Sequence, residues 1–501
     1  MRLSRRAFLV GSSALGLVQA ASLARAGTVF ARQMVIDMAR GMAARDYAPR
    51  ETVPQEWLDL TYDQYRGIRF KLDHALWAGT NVPYVVDFFA PGLYFPRTIQ
   101  VNTVTGGMSH PVPFRYDDFD HAPDLVPPLP VSETLGFAGL RLRTEQTEPG
   151  RKSEFCVFQG ASYFRAIGYG HTYGLSARGL ALRTGDPMGE EFPDFIRFWL
   201  ETPAPGERNI IVHALLDSPS VTGAYRFDIA PGPDCVMEVE ATLFPRNDLD
   251  HVGLGPLTSM FLFDETNRTR FDDFRPAVHD SDGLMIWNGA DEVIWRPLAN
   301  PRTLQVSQFV DRMPRGFGLM QRARKLSDYA DLEAHYHQRP GVWVEPKGDW
   351  GAGSVTLVEI PADKEIYDNI VAYWRPRDPI LAGENVEVAY RLTWCAAAPV
   401  ATGLPRVLNT RMGAREGGGR LVTIDFESSD LLSGDPEGIE ISVSSPQAQT
   451  KDAVLQKNPE TGGLRLAFTF DAGDAAFAEL RAALRKDGAP ASEVWLYRWT
   501  R

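Results

Sequence analysis

Short runs in which apolar and polar residues alternate recur along most of this chain, and they constrain its fold more than any other feature. Tyr225-Arg226-Phe227-Asp228-Ile229 alternates with period two, and so does Ser354-Val355-Thr356-Leu357-Val358-Glu359-Ile360. Alternation puts the apolar side chains of a strand on one face, which must then be covered by a second layer. Pro83 to Phe89 and Asn209 to Leu216 add further β-rich runs. Pro91-Gly92, Pro231-Gly232-Pro233 and Asn288-Gly289 punctuate them as turns, and 44 Gly and 36 Pro supply enough turn residues for many short strands. No regular βαβ rhythm occurs, which argues against a doubly wound parallel sheet. The first segment, 29–46, reads instead as a helix, because Phe30, Met34, Val35, Met38 and Met42 fall near one helical stripe.

A change of composition at Cys395–Arg406 (CAAAPVATGLPR) reads as a linker, 396–406. Beyond it, Val422, Ile424 and Phe426 share one strand face, as do Ile439, Ile441 and Val443, and Leu464, Leu466, Phe468 and Phe470. A helix is expected between them, with Asp474 as N-cap, Phe477, Leu480 and Leu484 on its stripe and Gly488 at its end. Val494–Trp499 closes the segment as a strand. Residues 407–501 are therefore expected to form a small immunoglobulin-like sandwich. Arg411–Arg420 (RMGAREGGGR) reads as a mobile Gly-rich loop that lacks the spacing of a phosphate loop.

Residues 1–26 carry Ser4-Arg5-Arg6-Ala7-Phe8-Leu9, an apolar run from Ala7 to Ala21, and Ala24-Arg25-Ala26. This is the pattern of a twin-arginine export signal cleaved near Ala26. No later run approaches the 18 apolar residues of a membrane span. The net charge of −12 argues against nucleic acid as a partner, since phosphate binding needs a basic face. Cys156, Cys235 and Cys395 are an odd, widely spaced set that allows at most one disulfide and is expected to be buried thiols.

The chemistry narrows by exclusion. There is no H-E-x-x-H, EF-hand loop, G-x-S-x-G or completed G-x-G-x-x-G, so no metal and no cofactor is expected. His335 and His337 alternate as two ligands on a strand would, but no cysteine or carboxylate of ligand spacing accompanies them. Aromatic and acidic residues crowd between Phe271 and Trp374 instead. Sugar rings need flat aromatic platforms and polar groups for their hydroxyls, and glycoside cleavage needs two carboxyl groups in different environments. Turn-forming acids and core aromatics account for the same residues taken singly.

Longer motifs carry more weight. Gly160–Arg165 (GASYFR), Tyr173–Leu180 (YGLSARGL), Gly189–Pro193 (GEEFP), Ala214–Pro219 (ALLDSP) and Pro256–Phe261 (PLTSMF) occur in order. Arg275-Pro276 to Asp282, Trp295–Leu298 (WRPL), Gly316–Leu319 (GFGL) and Asp368–Val371 (DNIV) follow. Together they resemble the periplasmic glucans biosynthesis protein G/D family, colinearly from about Tyr47 to Trp394, and the twin-arginine signal points to the D-type branch. The resemblance implies an all-β chain, with a large many-stranded β-sandwich domain (27–395) ahead of the immunoglobulin-like one. It implies action on the β-1,2-glucan backbone of osmoregulated periplasmic glucans, as an inverting endo-glucanase or a related transglycosylase. Asp368 matches the family's general acid and Asp280 its general base. Tyr336 matches a tyrosine before an R-P-x-x-W run, and Glu365 a further acid. His279, Asp282, Trp343 and Trp374 are expected to contact or frame the sugar. The competing reading is a non-enzymatic glucan-binding protein serving a membrane glucan synthase. A homodimer is also allowed, with the Arg411–Arg420 loop reaching a partner's groove.

Overall fold

The computed structural model describes residues 27–121 and 128–501. The export segment 1–26, and with it the cleavage position near Ala26, lies outside the described residues. Strands dominate the remainder. One sheet of 16 strands and one of 10 account for most of them, and a four-stranded sheet lies near the C-terminus. The all-β expectation holds.

The alternating strands work as their pattern demands. On Val221–Ala230, Tyr225, Phe227 and Ile229 are buried while Arg226 and Asp228 are partly exposed. The two large sheets meet through aromatic rings. Phe158 of the ten-stranded sheet lies 5.2 Å from Phe227 and 5.4 Å from Phe198 of the other, and Phe164 lies 5.1 Å from Phe227. Edge-to-face contacts at these separations add to the burial of the rings. Gly353–Glu359 departs from simple alternation, because every residue of it is buried. Its polar side chains are matched internally: Glu359 accepts from Arg296 Nη2 at 3.0 Å and from the Ala299 N–H at 2.7 Å. The helix Arg32–Ala43 packs Val35 and Ala39 on Trp199, Leu215 and Phe244, as its stripe predicts. The three cysteines are buried free thiols.

After residues 396–406 the chain forms two layers around one apolar cluster. Val407–Ala414, Arg420–Phe426, Leu464–Asp471 and Gln449–Lys457 make the four-stranded sheet. The opposing layer is Val494–Thr500, Phe477–Lys486 and Glu440–Ser444, which extend the sixteen-stranded sheet. They join it where Val494 and Trp495 pair in parallel with Ile294 and Trp295. The cluster between the layers accordingly mixes Phe468, Leu480 and Trp495 with Met285 and Trp295.

Two local expectations are corrected here. Phe477–Lys486 is a strand, not a helix. Ala478, Leu480, Ala482 and Leu484 all point inward, a period-two set that the helical stripe had sampled in part. Strands pair with it on both sides, and this tertiary pairing overrides the helix propensity of its Ala, Leu, Glu and Arg residues. Arg411–Arg420 is likewise a hairpin, with both arginines inside strands and only 415–419 as the turn. Gly417, Gly418 and Gly419 all have positive φ, and a Cβ on Gly419 would sit 2.7 Å from the Phe470 carbonyl oxygen. Those glycines shape a turn.

Candidate active site

Asp280 and Asp368 hang from one short segment, Ser259–Phe261. The Asp280 N–H donates to the Met260 carbonyl at 2.8 Å. Asn369, next to Asp368, is buried and clamps Phe261 in both directions: its Oδ1 accepts from the Phe261 N–H at 2.8 Å and its Nδ2 donates to the Phe261 carbonyl at 2.9 Å. A third bond, from Nδ2 to the Ile360 carbonyl at 3.0 Å, closes the loop that carries Asp368. This accounts for the acid-amide pair at the start of strand Ile370–Pro376: the amide anchors and the acid is presented.

The two carboxyls differ in their partners. Asp280 is 5% exposed and forms an ion pair with Arg339. Burial raises its pKa above the ordinary carboxylate range, the Arg339 guanidinium opposes that rise, and the Asp368 charge adds to it. Asp368 is accessible to solvent and, among the described residues, has no hydrogen bond or ion pair. It lies deep enough between protein walls for desolvation to raise its pKa, and Arg165, Arg178 and Arg339 act against this from a distance. One carboxyl therefore has a dedicated counter-charge that favours its ionised form, while the other has none.

Tyr336 and Glu365 join the same constellation. Tyr336 Oη donates to Glu365 Oε2 at 3.2 Å, and the Arg339 guanidinium lies 4.3 Å over the tyrosine ring. Glu365 is also 2.7 Å from Arg275 Nη1, which pairs with Asp331 at 2.9 Å, while Arg275 Nη2 pairs with Asp273 at 2.8 Å. Burial and the neighbouring Glu365 push the Tyr336 phenol up, so it is a neutral donor. The four residues assigned to catalysis thus converge.

Those assigned to sugar contact do not. His279 is 2% exposed; its Nδ1 is 2.9 Å from Gln321 Oε1, and its ring stacks on Phe261 at 5.3 Å. Burial lowers its pKa to about 4, so the ring is neutral. Asp282 Oδ2 accepts the backbone N–H groups of Arg322 and Ala323 at 2.8 and 3.0 Å. Both residues brace the segment around Asp280. Trp343 and Trp374 are 1% and 0% exposed and belong to the core, because both faces of their strands are covered. They present no platform to a groove. The aromatic side chains exposed beside the site are Tyr367 and Phe274, adjacent in sequence to Asp368 and Arg275. His335 and His337 lie in and beside a 3-10 turn, with His335 at φ 49°, rather than on a strand.

Sequence reasoning missed the arginines. Arg339 is the R of the R-P-x-x-W run, and Arg165, Arg178 and Arg275 lie within the quoted motifs, but nothing local tells which acid each will meet. Replacing Arg339 with Met should raise the Asp280 pKa further, since a buried carboxyl then loses its counter-charge. Carboxyl-carbon NMR titration reads this directly; an unmoved Asp280 would contradict the ion pair.

Residues 30–499 match the family described as periplasmic glucan biosynthesis protein, MdoG. The chain is 46% identical to "Glucans biosynthesis protein G" of Bradyrhizobium diazoefficiens, over 99% of this chain and 100% of that protein. It is 47% identical to the protein of the same name in Vibrio cholerae O395, over 94% of this chain and 87% of the relative. A Rhodopseudomonas palustris protein, also named G, is 46% identical over 99% of this chain. The likeness is thus to proteins named G, which corrects the D-type expectation. That expectation rested on the export signal, a detachable address outside residues 30–499 that match the family.

Proposed function

The chain belongs to the periplasmic glucan biosynthesis protein family, MdoG, and from that premise we propose that it cleaves or transfers the β-1,2-linked glucan backbone with Asp368 as general acid and Asp280 as general base. Participation in periplasmic glucan biosynthesis follows from the family. Export through the twin-arginine route with cleavage near Ala26 is part of the proposal. Among the described residues, no helix is long and apolar enough to cross a membrane.

The observation that carries this reading is the unequal environment of two nearby carboxyls. Asp368, solvent-accessible yet partly desolvated by the surrounding protein and without a partner, suits a protonated acid that donates to the glycosidic oxygen. Asp280, ion-paired with Arg339, suits a carboxylate that accepts a proton from the attacking water or sugar hydroxyl. Tyr336, packed under Arg339 and bonded to Glu365, lies beside the Asp280–Arg339 pair and is a candidate link for that proton.

Incubation of the mature protein with linear β-1,2-glucan, followed by mass spectrometry, tests the reading. Shorter linear fragments identify a glucanase, and a product lighter by one water identifies cyclising transfer. NMR of the newly formed reducing end should show the α-anomer first, as inversion requires; a β-anomer would sink the inverting scheme. The rate should fall as pH rises through the Asp368 pKa, because the acid must be protonated. Its raised pKa moves that limb above the ordinary carboxylate range. A second reading, a glucan-binding accessory to a membrane synthase, is favoured by the burial of Asp280 beneath Arg339, which keeps a base from water. Binding without any change in the glucan would select it.

A further inference from the structure

Three neighbouring strands of the large sheet run away from the candidate site. Asp280–Asp282 lead into Gly283–Trp287, Gln321 follows Gly316–Met320, and Arg339 precedes Gly341–Lys347. Pairing of Gly283 with Met320 and of Leu319 with Val342 aligns those ends. At the opposite end, Trp287 pairs with Gly316 and Phe317 with Val344. There the strands border a cavity of about 480 Å³, bounded on its other side by Pro399–Ala401. From Arg339 to Glu345 along the extended chain is roughly 20 Å, so this cavity is separate from the pair of carboxyls.

The cavity is built from indoles held in place. Trp287 Nε1 donates to Asp291 Oδ1 at 2.9 Å, and the Arg315 guanidinium lies 4.9 Å over the same ring and 3.1 Å from the same carboxylate oxygen. Trp350 Nε1 donates to the Ala389 carbonyl at 3.2 Å, and its ring meets Tyr390 edge-on at 5.9 Å. Trp343, itself buried, passes so close over Gly316 that a Cβ there would sit 2.8 Å from its Nε1, and it backs the wall from within the core. Glu345, paired with Lys347, adds a partly exposed carboxylate to the wall. The Trp287 and Trp350 rings, fixed before a ligand arrives and flanked by Arg315 and Glu345, match a hexose: C–H faces against the rings, hydroxyls against the charged groups.

We propose that this cavity is a second glucan-binding site, holding a stretch of the polymer remote from the bond that Asp368 and Asp280 act on. The proposal rests on the glucan reading above. A chain held at both places binds more tightly than at either alone, whereas a disaccharide spans only one.

The test uses the full mature protein carrying Asp368→Asn, so that ligand persists, titrated calorimetrically with long linear β-1,2-glucan and with the β-1,2-linked glucose disaccharide. Trp287→Ala and, separately, Arg315→Gln should weaken the long glucan by roughly tenfold and leave the affinity of the Asp280/Asp368 site for the disaccharide unchanged. Arg315→Gln leaves every ring in place, so it remains informative if Trp287→Ala folds poorly. Long-glucan affinity equal to the parent in both variants overturns the second site while leaving the proposed function intact. No glucan binding by the parent overturns both. Binding that depends on Trp287, in a protein whose unmodified form cleaves nothing, supports the second site and removes the enzymatic reading.

Discussion

Asp368→Asn is expected to lower glucan turnover by about 10²–10⁴-fold while leaving glucan affinity within a few-fold of the parent. The amide keeps the volume and polarity of the side chain but cannot supply the proton that the leaving oxygen needs. Asp368 has no hydrogen bond or ion pair among the described residues, so the substitution breaks none and the fold should be undisturbed. The pH profile adds a second reading of the same change: the limb that follows the raised Asp368 pKa should vanish. Single-turnover assays with defined oligosaccharides separate the chemical step from binding. Turnover within a few-fold of the parent would remove Asp368 from the acid role.

The second large effect is on stability. Glu493, with no exposed surface, receives Arg322 through two bonds of 2.7 Å and the Val407 N–H at 2.9 Å. Arg322 also lies 3.6 Å over the Trp295 ring, and its N–H is held by Asp282. Glu493→Gln leaves a buried guanidinium without its counter-charge, which should cost about 3–5 kcal/mol, visible as a lower urea midpoint. Pairing Glu493→Leu with Arg322→Met should recover much of that loss, because the penalty belongs to the uncompensated charge rather than to the lost bonds. A double variant as unstable as the single one would show that geometry dominates.

Much of this architecture was legible in the sequence. Alternation identified strands such as Val221–Ala230 because one face really is buried. It failed at Phe477–Lys486, where Leu480 and Leu484 fit both periods and only the partners on either side decide. Asp280, Asp368, Tyr336 and Glu365 were named through the family resemblance, and the fold brings them together. His279, Asp282, Trp343 and Trp374 sit in the same stretches, but a one-dimensional pattern does not say which side chains brace a segment and which face a groove. The arginines were hidden for a related reason: Arg339 meets Asp280 across 59 positions of sequence, and only the sheet's register makes them neighbours.

The parallel pairing of Ile294 and Trp295 with Val494 and Trp495 has a consequence for how the protein comes into being. The two strands are joined two hundred positions apart. Until the ribosome has made residues 494–500, Val293–Pro297 has lost its neighbour on one side and presents Ile294 and Trp295 beside unpaired backbone. Such an interval invites misassembly with other nascent chains, and contacts of this span are slow to form. Maturation of the large sheet is therefore a late event after synthesis. A cut within 396–406 would not yield two self-sufficient pieces, because the upstream piece would lack the strand that finishes its sheet.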